Sequence, residues 1–199
     1  MKTKKKPKPQ IVEIIPFSGY IWRVLDVQNN QALILSELVL KSHAYNEQNI
    51  GITWEKCTLR YYLNNYFYNK LSDKNKIVER TISNKNNQWY GTAGGNDTTD
   101  HIFLLSLEEL VQYFGDSGQL RRNWQLTGDV SEWYFDDEFN EKRIAKDANG
   151  APAWWWLRSP GCNSDVAATV FMDGGVCVGN NGGSVSAVGG VRPALWLNM

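Results

Sequence analysis

The alternation of apolar and polar residues predicts two neighbouring β-strands near the start of the chain. Residues 20–27 (YIWRVLDV) and 32–38 (ALILSEL) are rich in β-branched, aromatic and aliphatic side chains. The polar residues 28–31 (QNNQ) separate the two runs. A short polar break between two such runs favours a β-hairpin.

Two helices are predicted next. Thr53 can cap a helix whose apolar residues recur at helical spacing, as expected of a helix that packs on a sheet. Ser72 can cap a shorter helix that extends through Arg80. The apolar and aromatic residues of the first helix are Trp54, Cys57, Leu59, Tyr61, Leu63, Tyr66, Phe67 and Tyr68.

In the middle of the chain the pattern joins a strand to a helix. Residues 101–105 (HIFLL) predict a buried strand, which follows a polar loop at 84–100. Ser106 and Glu109 have the spacing of a capping box, and Gly115 marks the end of the helix. The long irregular insertion that follows, at 116–153, is of a length that is usually functional or mobile.

From residue 154 onwards the pattern is one of strands joined by Gly, Asn and Ser. Pro193 lacks a backbone donor, so the last strand is expected at a sheet edge or with a bulge. Helices that precede these strands indicate an α+β fold, with antiparallel sheets, two flanking helices and a loop-rich C-terminal half. The N- and C-terminal strands are expected to pair. The four predicted strands lie at 154–159, 167–172, 176–178 and 191–197, with residues 173–175 (DGG) as a hairpin turn.

Composition and charge limit the class of protein. The 199 residues carry 21 basic and 21 acidic side chains, so no overall positive field indicates specific binding of nucleic acid. Five lysines lie within the first ten residues, which leaves 16 basic and 21 acidic groups in the rest. Residues 1–15 are therefore predicted to be a basic flexible leader, either a simple tail or an electrostatic tether. Residues 16–199 are predicted to form one domain.

The sequence has no pattern typical of membrane insertion or secretion. No apolar run approaches the roughly 18 residues that span a bilayer, and the basic start is not followed by a signal-peptide core. Three cysteines are too few, and odd in number, for a disulfide scaffold. We expect synthesis in the cytoplasm and leave the final localisation open, including delivery by a phage.

Several segments together carry a family resemblance. Residues 155–161 (WWLRSPG) and 190–197 (GVRPALWL) are its most specific part. Shorter matches occur at 22–26 (WRVLD), 57–60 (CTLR), 94–97 (GGND) and 103–106 (FLLS). From about Trp22 to the C-terminus, the chain resembles a bacterial family with a domain of unknown function that ends in a WWLRSPG…GVRPAL signature.

That resemblance implies a C-type-lectin-like fold, related to the formylglycine-generating-enzyme and sulfatase-modifying-factor group. Some proteins of that wider fold are variable proteins of diversity-generating retroelements, which display hypervariable positions near the C-terminus. The resemblance therefore implies a variable or binding segment at about 154–199. Formylglycine-generating relatives need a specific cysteine pair, and Cys162 and Cys177 do not resemble that pattern.

Two sets of residues allow alternative interpretations. Trp154, Trp155 and Trp156 suit either a carbohydrate-stacking platform or an aromatic core on both sides of a strand, with Trp154 the one expected to reach the surface. Arg158 and Arg192 suit either an anionic ligand or structural pairing with buried acids. Acids that could pair with them include Glu37, Asp26 and Asp100.

The residues between the two halves of the signature are the predicted ligand-binding site. Small polar side chains in loops on rigid strands offer adaptable hydrogen bonds, although tight turns without a ligand would give the same composition. The predicted ligand-binding residues are Trp154, Asn163, Ser164, Asp165, Thr169, Phe171, Cys177, Asn180, Asn181, Ser184 and Ser186.

The motifs of common enzymes and metal sites are missing from the sequence. His43 and His101 are the only histidines, and no HExxH, CxxC, GxSxG or phosphate-binding loop occurs. The acidic residues between 129 and 141 match no calcium loop and suit a solvated face. No catalytic residue, metal ligand or cofactor is predicted.

The sequence therefore predicts a non-enzymatic binding domain, receptor- or adhesin-like, that recognises a protein or surface ligand, with carbohydrate as one option. It is a candidate variable protein of a diversity-generating retroelement. The alternative is a structural or interaction module of a larger phage or cell-surface assembly. A sulfatase-modifying type of enzyme is the least favoured class, and the sequence does not determine the oligomeric state.

Overall fold

The computed structural model describes residues 13–121, 134–179 and 182–199. The predicted leader lies mostly outside the described residues, and the first strand begins at Ile14, within the range predicted for that leader. In the described part of the chain, strands account for 36% of residues and helices for 20%. The protein is therefore mostly β.

Most of the strands are short. They are Ile14–Phe17 (β1), Tyr20–Gln28 (β2), Gln31–Ser36 (β3), Lys41–Ala44 (β4), Ile77–Val78 (β5), Arg80–Ile82 (β6), Thr98–Asp100 (β7), Tyr134–Phe135 (β8), Ala145–Lys146 (β9), Pro152–Ala153 (β10), Trp155–Pro160 (β11), Val166–Val170 (β12), Val176–Cys177 (β13), Gly183–Ser184 (β14), Val188–Val191 (β15) and Ala194–Asn198 (β16).

The helices are also short. They are Thr58–Tyr61 (α1), Tyr68–Lys70 (α2), Leu107–Phe114 (α3) and Asn140–Arg143 (α4), with a π-helical stretch at Tyr62–Phe67 and 3-10 turns at Trp54–Lys56, Lys74–Lys76 and Gln119–Arg121.

The first large sheet is antiparallel, with strand order β1-β2-β3-β16-β5. Its centre is the predicted hairpin of β2 and β3, which turns at Asn29 and Asn30. Both asparagines have positive φ, 49° and 62°, as a tight two-residue hairpin turn requires. The C-terminal strand β16 pairs with β3, so the predicted pairing of N- and C-terminal strands is confirmed.

The second large sheet has the order β4-β15-β11-β12-β13-β8, and β14 also pairs with β12. All its pairings are antiparallel except that of β11 with β15. All six residues of β11 are buried. The near-continuous apolar character of 154–159 is thus that of a strand inside a sheet, covered on both faces.

Pro193 lies where the chain passes from one large sheet to the other. The chain leaves the second sheet at Val191 and enters the first at Ala194. The Pro193 carbonyl accepts a hydrogen bond from Ser36 N at 2.9 Å. The strand predicted at 191–197 is therefore two strands, because proline cannot donate to a ladder and the sequence breaks the pairing there.

The helix predicted after Thr53 forms in pieces. Thr53 makes no side-chain cap, and Cys57 caps α1 instead, with its Sγ accepting from Arg60 N at 3.4 Å. Burial raises the pKa of the Cys57 thiol to about 12, so it remains a neutral, structural thiol at ordinary pH. A π-helical stretch at Tyr62–Phe67 then separates α1 from α2.

Helix α3 forms as the sequence predicts. Ser106 Oγ accepts from Glu109 N at 3.2 Å, and Ser106 N donates to Glu109 Oε2 at 2.9 Å. The helix ends at Gly115, whose φ of 132° lies in a region that glycine tolerates. Residues 102–105 before the helix are buried as predicted, and His101 is half-buried. The segment forms one isolated bridge, between Phe103 and Ala194, rather than a strand.

The predicted α+β fold class is wrong. The helix predicted from Ser72 to Arg80 does not form, because β5 pairs with β16 and β6 pairs with β7. Short strands also occupy parts of the segments predicted as loops, namely β7, β8, β9 and β10. β9 and β10 pair with each other as a local hairpin, whereas β5, β6, β7 and β8 pair with strands more distant in sequence. Local periodicity does not report such distant pairing.

The capping box of α3 provides a test of the fold. Replacing Ser106, which is buried, with alanine leaves Glu109 N without its acceptor. We expect Ser106→Ala to lower the free energy of unfolding by about 1 kcal/mol, measured by urea denaturation. The control is Gln112→Ala, at an exposed position of the same helix, and equal stability of the Ser106→Ala and wild-type proteins would contradict the cap.

Candidate functional site

The three consecutive tryptophans occupy different environments. Trp155 and Trp156 are 0% exposed, as expected of a core strand. Trp154 precedes β11, is half-buried, and meets Trp156 edge-on with 4.9 Å between ring centroids. Two of the three rings are therefore core, and Trp154 is the ring that reaches the surface.

Trp154 forms one wall of a cavity of about 600 Å³. The cavity lies over β12 and β14, between the turn that follows β12 and the segment that leads into β15. Most of its wall is apolar or aromatic, with a few polar groups. The lining residues are Trp154, Thr169, Phe171, Met172, Asp173, Gly182, Gly183, Ser184 and Ala187.

Two glycines allow the rings to take these positions. A Cβ at Gly183 would lie 2.1 Å from the Trp156 ring, and a Cβ at Gly189 would lie 2.2 Å from the Trp154 ring. Carbon atoms in contact are normally about 3.5–4.0 Å apart, so any larger residue would displace a ring. The glycines of this segment therefore serve close packing.

Thr169 is the least exposed polar residue among those that line the cavity. It lies on β12 opposite Trp156 and is 1% exposed. In the part of the chain that the structure describes, its Oγ1 has no hydrogen-bond partner. A buried hydroxyl without a partner costs roughly 1–3 kcal/mol, and buried polar groups in native proteins are rarely left in this state.

Asp173 contributes a carboxylate at the rim of the cavity. Its Oδ1 accepts from Gly175 N at 3.0 Å, within the predicted turn, and Gly174 there has a φ of 85°. Tyr134 Oη donates to the other oxygen at 3.5 Å, and desolvation together with the Asp173 charge raises the pKa of Tyr134. The Tyr134 ring also lies 5.8 Å from Phe171, so the turn is fixed against β8.

The structure brings four of the predicted site residues to this cavity. They are Trp154, Thr169, Phe171 and Ser184. Ser184 Oγ donates to Asn49 Oδ1 at 3.0 Å and lies 3.3 Å from Ser186 Oγ. Ser186 is thus one hydrogen bond away from the cavity wall.

Other predicted residues lie elsewhere. Asn163 and Ser164 are exposed and Asp165 is half-buried, all in the loop between β11 and β12. The Ser164 carbonyl accepts from Ile52 N at 2.8 Å, and the Asp165 carbonyl accepts from Val185 N at 2.9 Å. This loop is therefore tied to the segment beside the cavity without lining it.

The prediction that Cys177 binds a ligand is wrong, and two of the predicted asparagines are not among the described residues. Cys177 is 0% exposed, because it lies on β13 between β12 and β8, so it does not present its side chain to a ligand. Asn180 and Asn181 lie outside the described residues. The sequence interpretation missed Met172, Asp173 and Ala187, although the turn at 173–175 was itself a signal that this segment lies at the surface.

The buried arginines have structural partners that differ from those expected. Arg158 pairs with Glu109, at 2.5 Å from Nη1 to Oε2. Arg192 donates from Nε to the Ser36 carbonyl at 2.8 Å and stacks on Trp155 at 5.0 Å. Burial lowers the pKa of Arg192 to about 10. Glu37, one of the expected partners, binds Arg23 instead.

Chemistry-bearing groups form no metal cluster among the described residues. Groups of three or more His, Cys, Asp or Glu that could hold a metal ion are absent there. Asp129 and Glu132 of the acidic stretch lie outside the described residues, and Asp137 of that stretch pairs with the buried Arg143 at 2.5 Å. The three cysteines are thiols.

The unpaired hydroxyl of Thr169 leads to a testable prediction about stability. Valine has nearly the same shape without the hydroxyl, so Thr169→Val removes a buried unpaired group. We expect this variant to raise the free energy of unfolding by about 1 kcal/mol or more in urea denaturation. Thr169→Ser keeps the hydroxyl and loses a methyl, so it should lower stability. A loss of stability in Thr169→Val would show that the hydroxyl is paired in solution.

Comparison with known proteins gives a family and no closer relative. Neither the curated proteins nor the solved structures give a significant match to the chain, so the C-type-lectin-like architecture has no support there. In the described ranges no helix has the length and apolar character to cross a membrane. A family model described as a domain of unknown function, DUF6273, matches residues 29–199. The chain belongs to this DUF6273 family.

Proposed function

We propose that this chain is a non-enzymatic, receptor- or adhesin-like domain that binds a ligand in the cavity beside Trp154. The observation that carries the proposal is the buried, unpaired hydroxyl of Thr169 in the wall of that cavity. A ligand that supplies a hydrogen-bond partner there recovers energy that the free protein lacks.

The size and lining of the cavity are those of a small-molecule site. Ligand cavities usually measure about 300–1,000 Å³ and combine an apolar wall with a few polar groups that fix orientation. Here about 600 Å³ is bounded by Trp154, Phe171 and Met172, with Thr169 and Asp173 as polar groups. Met172 is 57% exposed, so the cavity opens to solvent on that side.

These features favour a sugar ring as the ligand. A pyranose has an apolar face that packs on aromatic rings and hydroxyls that both donate and accept. The Asp173 carboxylate can only accept, the Thr169 hydroxyl can donate or accept, and the Ser184 hydroxyl, which donates to Asn49, can still accept. The mechanism is thus packing of the sugar ring against both Trp154 and Phe171, with hydrogen bonds at the wall, and it requires no cofactor.

Binding is favoured over catalysis by the titratable groups present. Among the described lining residues, Asp173 is the one carboxylate, and no histidine, cysteine or lysine joins it. Glycoside hydrolysis normally needs two carboxylates on either side of the bond. Diversification of residues 162–188 by a retroelement, and a role as a module of a larger assembly, stay predictions.

The proposal is tested by NMR titration of the isotope-labelled full chain. The probes are methyl β-D-galactopyranoside, methyl α-D-mannopyranoside and N-acetyl-D-glucosamine. We expect at least one probe to shift the Trp154 indole signal, and Phe171→Ala to weaken the binding of that probe about fivefold, since a lost aromatic contact costs about 1 kcal/mol.

The control variant is Tyr66→Ala. Tyr66 is an exposed aromatic residue that does not line the cavity, so its removal should leave the affinity unchanged. Binding that shifts signals away from Trp154, or affinity that survives Phe171→Ala, would contradict the cavity as the site. Failure of all three probes to bind would contradict a sugar ligand.

A further inference from the structure

A second cavity, of about 340 Å³, lies at the other end of β11, beside the start of α3. It shares no lining residue with the first cavity. Its wall has three cationic side chains, two carboxylates and two aromatic rings. The lining residues are Gln28, Arg80, Thr81, Ile82, Ser83, Lys85, Phe103, Ser106, Glu108, Glu109, Arg158 and Trp196.

Arg158 is a buried cationic residue in the wall of this cavity. Its side chain is 4% exposed, and its two Nη atoms donate to both oxygens of Glu109 and to the Leu104 carbonyl. Nη2 also donates to the Ser83 carbonyl at 3.2 Å. The Nε atom is buried and has no partner among the described residues. The charge of Glu109 is thus compensated by Arg158, while the Nε–H of Arg158 has no hydrogen-bond partner among the described residues.

Arg80 lines the same cavity and also has a buried Nε atom without a hydrogen-bond partner among the described residues. Its guanidinium carbon lies 4.8 Å from the centre of the Trp196 ring, and its Nη2 donates to the Gln31 side-chain oxygen. Its Nε atom is buried and unpaired within the described part of the chain. Unpaired N–H groups on cations are more costly than neutral ones. Two of them thus line one cavity.

The charges around the cavity leave a positive excess. Lys85 is exposed at the rim, and Glu108 lies half-buried at the first turn of α3. Arg80, Lys85 and Arg158 outnumber the two glutamates by one. Since Glu109 already pairs with Arg158, the groups left to meet a ligand are mainly cationic donors.

From these observations we infer that this cavity binds a small organic molecule through an oxyanion, a carboxylate or a phosphate. Such an oxyanion accepts charge-assisted hydrogen bonds from the Nε atoms of Arg80 and Arg158, and Lys85 adds charge at the rim. The cavity exceeds the size of a bare phosphate ion. The Trp196 and Phe103 rings offer an apolar surface for the rest of the molecule.

The test uses three anionic probes and one neutral control with the full chain. Benzoate and phenyl phosphate carry the two oxyanions on one ring, inorganic phosphate lacks the ring, and benzamide has the shape of benzoate without its charge. NMR of the arginine Nε–H and tryptophan indole groups reports where each probe binds. Ionic strength is held constant with sodium chloride.

The inference predicts that benzoate or phenyl phosphate shifts the Nε–H signals of Arg80 and Arg158 and the indole signal of Trp196. Benzamide should shift none of them. Response to both anions would identify the oxyanion alone as the recognised group, and response to one would identify a carboxylate or a phosphate. Absence of these shifts with every anion, or equal shifts with benzamide, would overturn the inference.

Two variants separate binding from folding. Arg80→Gln removes one cationic donor and should weaken the affinity for the anion at least tenfold, a loss of about 1.4 kcal/mol in binding free energy. Lys85→Gln changes an exposed side chain, leaves the fold intact, and should weaken binding severalfold. Lys146→Gln, an exposed lysine on β9 outside the cavity, is the control and should have no effect. Unchanged affinity in both Arg80→Gln and Lys85→Gln would contradict the site.

Discussion

The contact between tryptophan rings and glycine backbone is the constraint on which the C-terminal half depends. Trp154 and Trp156 fill the space that a Cβ would occupy at Gly189 and Gly183. The rings can approach the backbone this closely only because neither position carries a side chain. One consequence is that β11 is packed on both faces. The other is that Trp154 stands at the edge of the core, where it forms the wall of an open cavity.

Buried cations shape the remainder of the fold. Arg143 is paired with Asp137, Arg158 is paired with Glu109, and Arg192 lies on Trp155 with a backbone carbonyl as its partner. A buried charge requires such partners, because the transfer of an unpaired charge from water into the protein interior is energetically unfavourable. The pairing of Arg158 holds α3 to β11. It also leaves the donor that, with Arg80, defines the second cavity.

Some local features of the sequence were sufficient to predict local structure, although the helix caps predicted at Thr53 and Ser72 do not form. The hairpin at Asn29 and Asn30, the capping box of Ser106 with Glu109 and the surface position of Trp154 follow from residue type and spacing. Features that depend on distant pairing were not predictable. Residues 77–82 form strands because of β16 and β7, and local pattern carries no information about those partners.

In the candidate site, too, the residues predicted from local sequence differ from those whose position depends on distant strand pairing. Thr169 and Phe171 were predicted because they lie beside loops on a rigid strand. Cys177 was misplaced, since the sequence does not show that β13 lies between β12 and β8. The partners of Arg158 and Arg192 were misassigned for a similar reason. Any of several acids could have met them, and only the arrangement of the sheets selects Glu109 and the Ser36 carbonyl.

The most direct test of this account is the free energy of unfolding of the Gly183→Ala protein, compared with Ser184→Ala at the adjacent position. The account predicts that Gly183→Ala loses about 1–3 kcal/mol with an unchanged urea m-value, because its Cβ must displace the buried Trp156 ring. Ser184→Ala removes only the hydroxyl that donates to Asn49 and should lose less than Gly183→Ala, about 0.5–1 kcal/mol. Equal stability of Gly183→Ala and the wild-type protein would contradict the contact between glycine and tryptophan, and with it the wall of the cavity.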